Sequence, residues 1–397
     1  MPTTSQLVQA DASLIKDQSS DSGYERKWWV MAGAGLAVFV TSLNLSIINM
    51  SLPAIQSGLK TSLAAAEWVV LDYSLVMAVL LVSVGRLSDI FGRKRLFISG
   101  SVLFGVSSVL CGSAGHIYLL VLSRVLQGIG GALIVANGTA IVTDAFPPRE
   151  LGGAIGILSS ITAIGTTLGP SLGGFILARA EWPVIFFASA PVVFLGAILS
   201  AFSLRERKIL VTQRFDWTGA IVLGGFLLTG LLGVTYGQDS GWGSVNVLAL
   251  FVTSIAFGLL FLRVEASTSQ PILDTRLLRQ RVIAAAFLSG FLYYVATTAN
   301  TFLSPFLLQR LFNFGAENAG MILMSVPLGI VIVAPLSGWL AGGMDPRVLA
   351  SLGLAVGGTG FFWMSRQSPT AASAGIVPPY ILLSIGGGFF YPPIRVC

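Results

Sequence analysis

The sequence predicts an all-α protein that crosses a membrane many times, and three observations carry that prediction. Of its 397 residues, 54% are hydrophobic and only 10% charged, against roughly 25% charged in soluble domains. Apolar stretches of about 20 residues, enough to span a bilayer core of roughly 30 Å, recur along the chain. Many of the 46 glycines cluster inside these stretches, as at Gly128, Gly130 and Gly131. Such clusters weaken a water-exposed helix but let helices in lipid pack closely.

Composition also removes several function classes. The formal charge of +6 comes from basic residues lying between apolar spans, not from a patch on a soluble fold, so no nucleic-acid partner is expected. Two cysteines, Cys111 within a span and Cys397 at the end, supply neither a disulfide framework nor a Cys-based metal centre. His116, the single histidine, stands alone in a short connection, which leaves no Ser-His-Asp triad and no zinc site. Gly169-Pro170-Ser171-Leu172-Gly173 has the spelling of a hydrolase nucleophile elbow, but Ser171 lies mid-span and not at a strand-to-helix turn. No phosphate-binding loop is found. Neither enzymatic activity nor a cofactor or metal is expected.

In chain order, residues 1–27 are polar, with Asp11, Lys16, Asp17 and Asp21 where a signal peptide needs an apolar core, and are expected to form a disordered tail. Twelve spans then follow, beginning near Trp28, Ala66, Leu96, Ile117, Gly153, Pro183, Asp216, Ser244, Val282, Glu317, Val348 and Ile376. Lysines and arginines gather in the tail and in alternate connections: Arg86, Arg93, Lys94 and Arg95 after span two, and Arg205, Arg207, Lys208 and Arg214 after span six. The opposite side holds only Lys60, Arg179, Arg310 and Arg366. Positive connections stay in the cytoplasm, so the N-terminus of this multi-pass chain is expected there, in the inner (plasma) membrane.

The longest connections, 204–215 and 263–281, lie on that same side and bracket spans seven and eight. The expected organisation is a six-helix bundle over 28–203, a two-helix insert with its linkers over 204–281, and a four-helix bundle over 282–397. A weak repeat supports it. The run from Gly85 to Lys94 after span two and the run from Gly338 to Arg347 after span ten each place a glycine at a helix end and a cation soon after. Internal repeats of this kind build many secondary transporters.

Five groups of residues could carry chemistry. Asp89 faces Arg86, Arg93, Lys94 and Arg95 in the loop after span two. Arg124 lies about 10 Å into span four if that span begins at Ile117, and an arginine at that depth must be paired or hydrated. Gly165, Gly169, Pro170, Gly173 and Gly174 make span five a close-packing helix with a bending point. Asp72 sits about 7 Å below the external end of span two, where a carboxylate should face a cavity. Asn44 lies about 24 Å above the other end of span one, in the same outer layer as Asp72 and Arg124.

Gly85-x-x-x-Asp89-x-x-Gly92-Arg93-Lys94 resembles the signature loop of the major facilitator superfamily, which implies that these residues form a conformational latch between two bundles. Arg124-x-x-Gln127-Gly128 is similar to that family's fourth-helix motif, associated with proton transfer. The Gly165 to Gly174 run resembles its antiporter motif. Leu43 to Pro53 looks like the first-helix motif of the fourteen-helix drug/proton antiporter branch, with Asn44 where an aspartate is usual. The second copy of the loop has Gly342 where the first has Asp89.

The resemblance implies a major facilitator fold with twelve of an expected fourteen helices. It further implies a proton-coupled exporter of small amphipathic or cationic compounds, working as a monomer in the bilayer by alternating access. Asn44 cannot carry a proton, so Asp72 is expected to take over the missing acid, its charge balanced against Arg124. Two alternatives remain at this point: a truncated, inactive product lacking its last two helices, and an exporter of a siderophore, metabolite or amino acid.

Overall fold

The computed structural model describes residues 26–204, 215–268, 280–314, 316–340, 344–368 and 373–396. Residues 1–25 of the expected tail, most of the two long connections, Gly342 and Cys397 lie outside the described residues, and Lys27, expected in the tail, instead opens the first helix. Within them the chain forms twelve α-helices and no strand. These are α1 (Lys27–Gly58), α2 (Leu63–Phe91), α3 (Arg93–Gly112), α4 (Ile117–Ala145), α5 (Leu151–Leu177), α6 (Pro183–Ser203), α7 (Trp217–Ser240), α8 (Val245–Ser267), α9 (Arg281–Phe306), α10 (Ala316–Leu340), α11 (Pro346–Ser365) and α12 (Ser373–Val396). A π-helical turn, Leu307–Leu311, continues α9. Each helix starts within three residues of its expected place. Eleven are long and apolar enough to cross a membrane, and α12 adds the apolar stretch Gly375–Phe390.

Local chemistry sets where several helices begin. Ser62, Asp216, Ser244 and Asp345 each accept a hydrogen bond from a first-turn amide of the helix that follows, satisfying donors that have no partner within the helix. His116 does the same for α4, its Nδ1 accepting from the Leu119 amide at 3.2 Å. The lone histidine is thus a helix cap. Gly92, at φ +97°, turns the chain from α2 directly into α3, a backbone conformation that costs a side-chain-bearing residue energy. Inside the helices, Thr41, Ser101, Ser108 and Ser189 donate to carbonyls one turn back, so their hydroxyls need no water.

Four apolar clusters show how the helices group. Val30, Phe97, Phe104 and Val142 belong to one cluster within α1–α6, and Ile48, Ile55, Val69 and Phe186 to a second. Leu308, Ile322 and Tyr380 centre a third between the π-turn, α10 and α12, and Val222, Leu223 and Phe261 join α7 to α8. Within the first six helices, α1 packs against α4, α5 and α6, while α4 packs against α2 and α3. Helices α7 and α8 pack chiefly on each other and touch α2.

The α5–α10 pair is the main link between the first six helices and α9–α12, and α12 adds a smaller contact with α5. The backbones of Gly152 on α5 and Gly338 on α10 meet without room for a side chain, and Gly156 faces Ala334 and Pro335. Ser160 Oγ donates across the same seam to the Val331 carbonyl at 3.2 Å.

Close approach of this kind can be tested at α3–α4. A Cβ on Gly130 would lie 2.7 Å from the Phe104 amide nitrogen, whereas one on Gly358 would meet nothing within 4 Å. Gly130→Val should therefore lower the unfolding temperature of the detergent-solubilised protein by several degrees, as overpacking of roughly 1–3 kcal/mol requires. Gly358→Val should leave it nearly unchanged.

Candidate functional site

Arg124 is fully buried, at 0% exposure, two turns into α4. A guanidinium removed from water costs several kcal/mol unless acceptors surround it, and three other helices help to meet that demand. Its Nε donates to the Val69 carbonyl of α2 at 2.6 Å. Its Nη1 donates to Asn44 Oδ1 on α1 and to Gln127 Oε1, 2.7 Å away and one turn further along α4. Gln127 Nε2 passes the network to Ser108 Oγ on α3 at 2.7 Å. The Tyr73 ring lies 4.2 Å and the Phe186 ring 6.0 Å from the guanidinium carbon, close enough for cation–π attraction.

Asp72 borders this cage at 4% exposure. One carboxylate oxygen accepts from the Tyr73 amide at 2.6 Å, and Asp72 and Arg124 interact through space. The other carboxylate oxygen is buried with no hydrogen-bond partner, as are Arg124 Nη2 and Asn44 Nδ2. Arginine keeps its proton in proteins and the amides of Asn44 and Gln127 do not titrate, and Asp72 is the one carboxyl group of the cage. The structure thus brings Asn44, Asp72, Arg124 and Gln127 to one place.

The glycines let the cage close. A Cβ on Gly128 would lie 3.1 Å from both the Tyr73 carbonyl and Val76 Cβ, so its absence allows α4 near enough to α2 for Arg124 to reach Val69. On α5, Gly165 faces the Phe39 carbonyl, Gly169 faces Ser46 and the Ile47 amide, and Gly173 faces Ile47. They seat α5 on the stretch of α1 that carries Asn44. Pro170 lies among them inside α5, and Gly174 has only Met50 Cε, at 4.0 Å, beside it.

The loop after α2 forms a second polar cluster at a helix end. Arg93 pairs with Asp89 at 3.0 Å and with Asp144 of α4 at 2.9 Å, and Lys94 Nζ donates to the Ala201 and Leu204 carbonyls near the end of α6 at 2.8 and 2.6 Å. Nearby, Lys27 pairs with Glu150 at 2.6 Å and Arg26 donates to the Phe202 carbonyl at 3.0 Å. All these bonds join segments of the first six helices. Gly85 has open space where a side chain would go, so packing does not explain it.

Sequence reasoning missed Asp144, Tyr73 and the Val69 carbonyl. Asp144 left a usable signal, an acid at the end of span four on the same side as the loop after span two, which holds four cations. A backbone acceptor leaves none. Of the aromatic residues in span nine, Tyr293 is buried on Phe390, centroids 4.4 Å apart, and Tyr294 is exposed. The side chain of Phe302 lies outside the described residues.

The Major Facilitator Superfamily model matches residues 34–214. The chain is 30% identical to the uncharacterized transporter YebQ of Escherichia coli (strain K12), over 92% of this chain and 79% of that protein. It is 32% identical to multidrug resistance protein Stp of Mycobacterium tuberculosis, over 82% of this chain but 60% of Stp. Riboflavin transporter RibZ of Clostridioides difficile is 31% identical, over 80% of this chain and 68% of RibZ. The solved structure of the proton:xylose symporter XylE aligns with a TM-score of 0.62 at 14% identity, over 94% of this chain and 81% of that one, a likeness of fold.

The cage makes a stability prediction. Asn44→Ala removes one acceptor from Arg124 Nη1 and should cost about 1–3 kcal/mol, the usual consequence of an unmet buried donor. Asn44→Asp, which offers the guanidinium an opposite charge, should instead raise the unfolding midpoint. Thermal unfolding in detergent reads both.

Proposed function

Since this chain belongs to the major facilitator superfamily, we propose that it is a proton-coupled antiporter exporting small amphipathic or cationic compounds by alternating access. The cage around Arg124 is the observation that carries this reading. It holds one carboxyl group, Asp72, beside a guanidinium that keeps its charge. A proton bound at Asp72 changes the local charge by one unit, and a cationic solute entering the same bundle is disfavoured by that added positive charge. Proton and solute then exclude each other, which is what antiport needs. Asn44 occupies the place of an acid, so Asp72 carries the coupling alone.

The fourteen-helix branch is supported by α7 and α8, which pack on each other between the first six helices and the later ones, and by relatives named for multidrug resistance, such as Stp. We assign 28–203 to the first bundle, 204–281 to the insert and 282–397 to the second bundle. The chain crosses the membrane many times, and its basic connections support a cytoplasmic N-terminus in the plasma membrane. The Asp89–Arg93–Asp144 and Lys27–Glu150 pairs lie at one end of the first bundle. All their partners lie within that bundle, so in this reading they brace its end while the bundles rock about the α5–α10 seam.

The test uses inside-out vesicles from efflux-deficient cells expressing the full chain. An acid interior should drive accumulation of a cationic dye, and a protonophore should abolish it. Asp72→Asn should reduce gradient-driven accumulation at least about ten-fold, the scale of a lost proton-transfer group, while downhill dye exchange persists. Unchanged gradient-driven uptake by Asp72→Asn at equal membrane abundance would remove Asp72 from the mechanism.

A further inference from the structure

The way the helices pack shows that α10, α11 and α12 repeat α2, α3 and α4. A Cβ on Gly130 of α4 would lie 2.8 Å from the Gly100 carbonyl of α3, and one on Gly386 of α12 would lie 2.8 Å from the Gly353 carbonyl of α11. Gly131 faces Met77 of α2, and Gly387 faces Ile330 of α10. Gly128 lies against Val76, and Ser384 meets Gly329 with the small residue on the other helix of the pair.

The spacing that carries Gly130 to Gly386 also carries Arg124 to Tyr380 and Asn44 to Asn300, and the one that carries Met77 to Ile330 carries Asp72 to Ser325. The second copy of the cage has thus lost both charges. Tyr380 lies as far into α12 as Arg124 does into α4, and it too is fully buried, at 0% exposure. Its hydroxyl stands beside Ser304 of α9 but makes no hydrogen bond, while Ser304 Oγ donates to Asn300 Oδ1 at 3.0 Å. A buried donor left over in this way is costly and calls for an explanation.

The surroundings are otherwise apolar. Leu308, Ile322 and Leu383 cluster with Tyr380, each no more than 5% exposed. Leu308 belongs to the π-helical turn Leu307–Leu311, and such turns occur frequently at functional sites.

We propose that Tyr380 is a specificity-determining residue of the export site, donating to an uncharged oxygen acceptor of the solute, such as an ester or ketone carbonyl, while the solute's apolar body rests on Leu308, Ile322 and Leu383. The inference rests on the export reading above and adds which chemical group the later helices select. A cation would find no carboxylate among Asn300, Ser304, Ser325 and Tyr380, and an anion would find no positive charge, whereas an uncharged acceptor takes up the donor left over. The π-turn moves off α12 to admit it. The solute's own charge stays with the first bundle, where Asp72 and Arg124 lie.

The test measures equilibrium binding to the full chain in detergent, with no proton gradient, of two monovalent lipophilic cations: rhodamine 6G, which carries an ester, and tetraphenylphosphonium, which has no acceptor. Tyr380→Phe should weaken rhodamine 6G about three- to ten-fold, the share of one hydrogen bond, and leave tetraphenylphosphonium within about two-fold. Tyr294→Phe, at an exposed position on α9, should change neither. Because Tyr380→Phe deletes a hydroxyl that makes no hydrogen bond, its unfolding midpoint should equal or exceed that of the wild type, which separates lost binding from lost folding.

The proposal is overturned if the wild type does not bind rhodamine 6G, or if Tyr380→Phe binds it as tightly as the wild type does. Equal weakening of both cations together with a lowered unfolding midpoint would also overturn it, by making the hydroxyl a packing element. Selective loss of rhodamine 6G in a protein that moves no dye under a pH gradient would contradict the antiport reading and leave this site standing.

Discussion

The first six helices are organised around one constraint, that a guanidinium buried at membrane depth must find acceptors. Arg124 meets it with a backbone carbonyl from α2, an amide from α1 and an amide from its own helix. These bonds fix how α4 is rotated and how near α1 and α2 must come. Gly128 follows from that nearness, since a side chain there would collide with Tyr73 and Val76. The α5 glycines hold α1 from its other side, so the stretch that presents Asn44 has little freedom to shift. Removing one neutral acceptor from such a buried charge costs about 1–3 kcal/mol, so the cage is held to move as a unit.

The ion pairs at the helix ends obey a different scale. Arg93, Asp89 and Asp144 each keep about a third or more of their side-chain surface exposed, and such pairs contribute about 0.2–1 kcal/mol. Contacts that weak hold the helix ends far less firmly than the buried cage holds the interior. A bundle with a rigid, charge-locked interior and weakly tied ends, joined to its partner along α5 and α10, suits rocking better than internal rearrangement.

How much of this was legible in the sequence depended on what each residue's signal rests on. Helix positions were, because bilayer thickness sets span length and because Ser62, Asp216 and Ser244 mark starts by their chemistry. The common layer of Asn44, Asp72 and Arg124 followed from 1.5 Å of rise per residue. Depth along a helix was readable where rotation about it was not. Neither Tyr73 beneath the guanidinium nor the Val69 carbonyl could be placed, since both depend on which faces of α2 and α4 meet. His116 had no metal-ligand neighbours in sequence, and its role as a cap depends on ring orientation. The resemblance implied a loop latching two bundles, and the bonds observed around Arg93 all lie within the first six helices.

The account's central claim is that Asp72, the one carboxyl group of the Arg124 cage, is the group that exchanges protons. Proton stoichiometry tests it most directly, read as the reversal potential of a monovalent cationic substrate in proteoliposomes under opposing pH and voltage gradients. The account predicts one proton exchanged per cation, so that voltage alone drives no net flux. A stoichiometry of two or more would require a second acid in the cycle and contradict the claim, as would transport indifferent to the pH gradient.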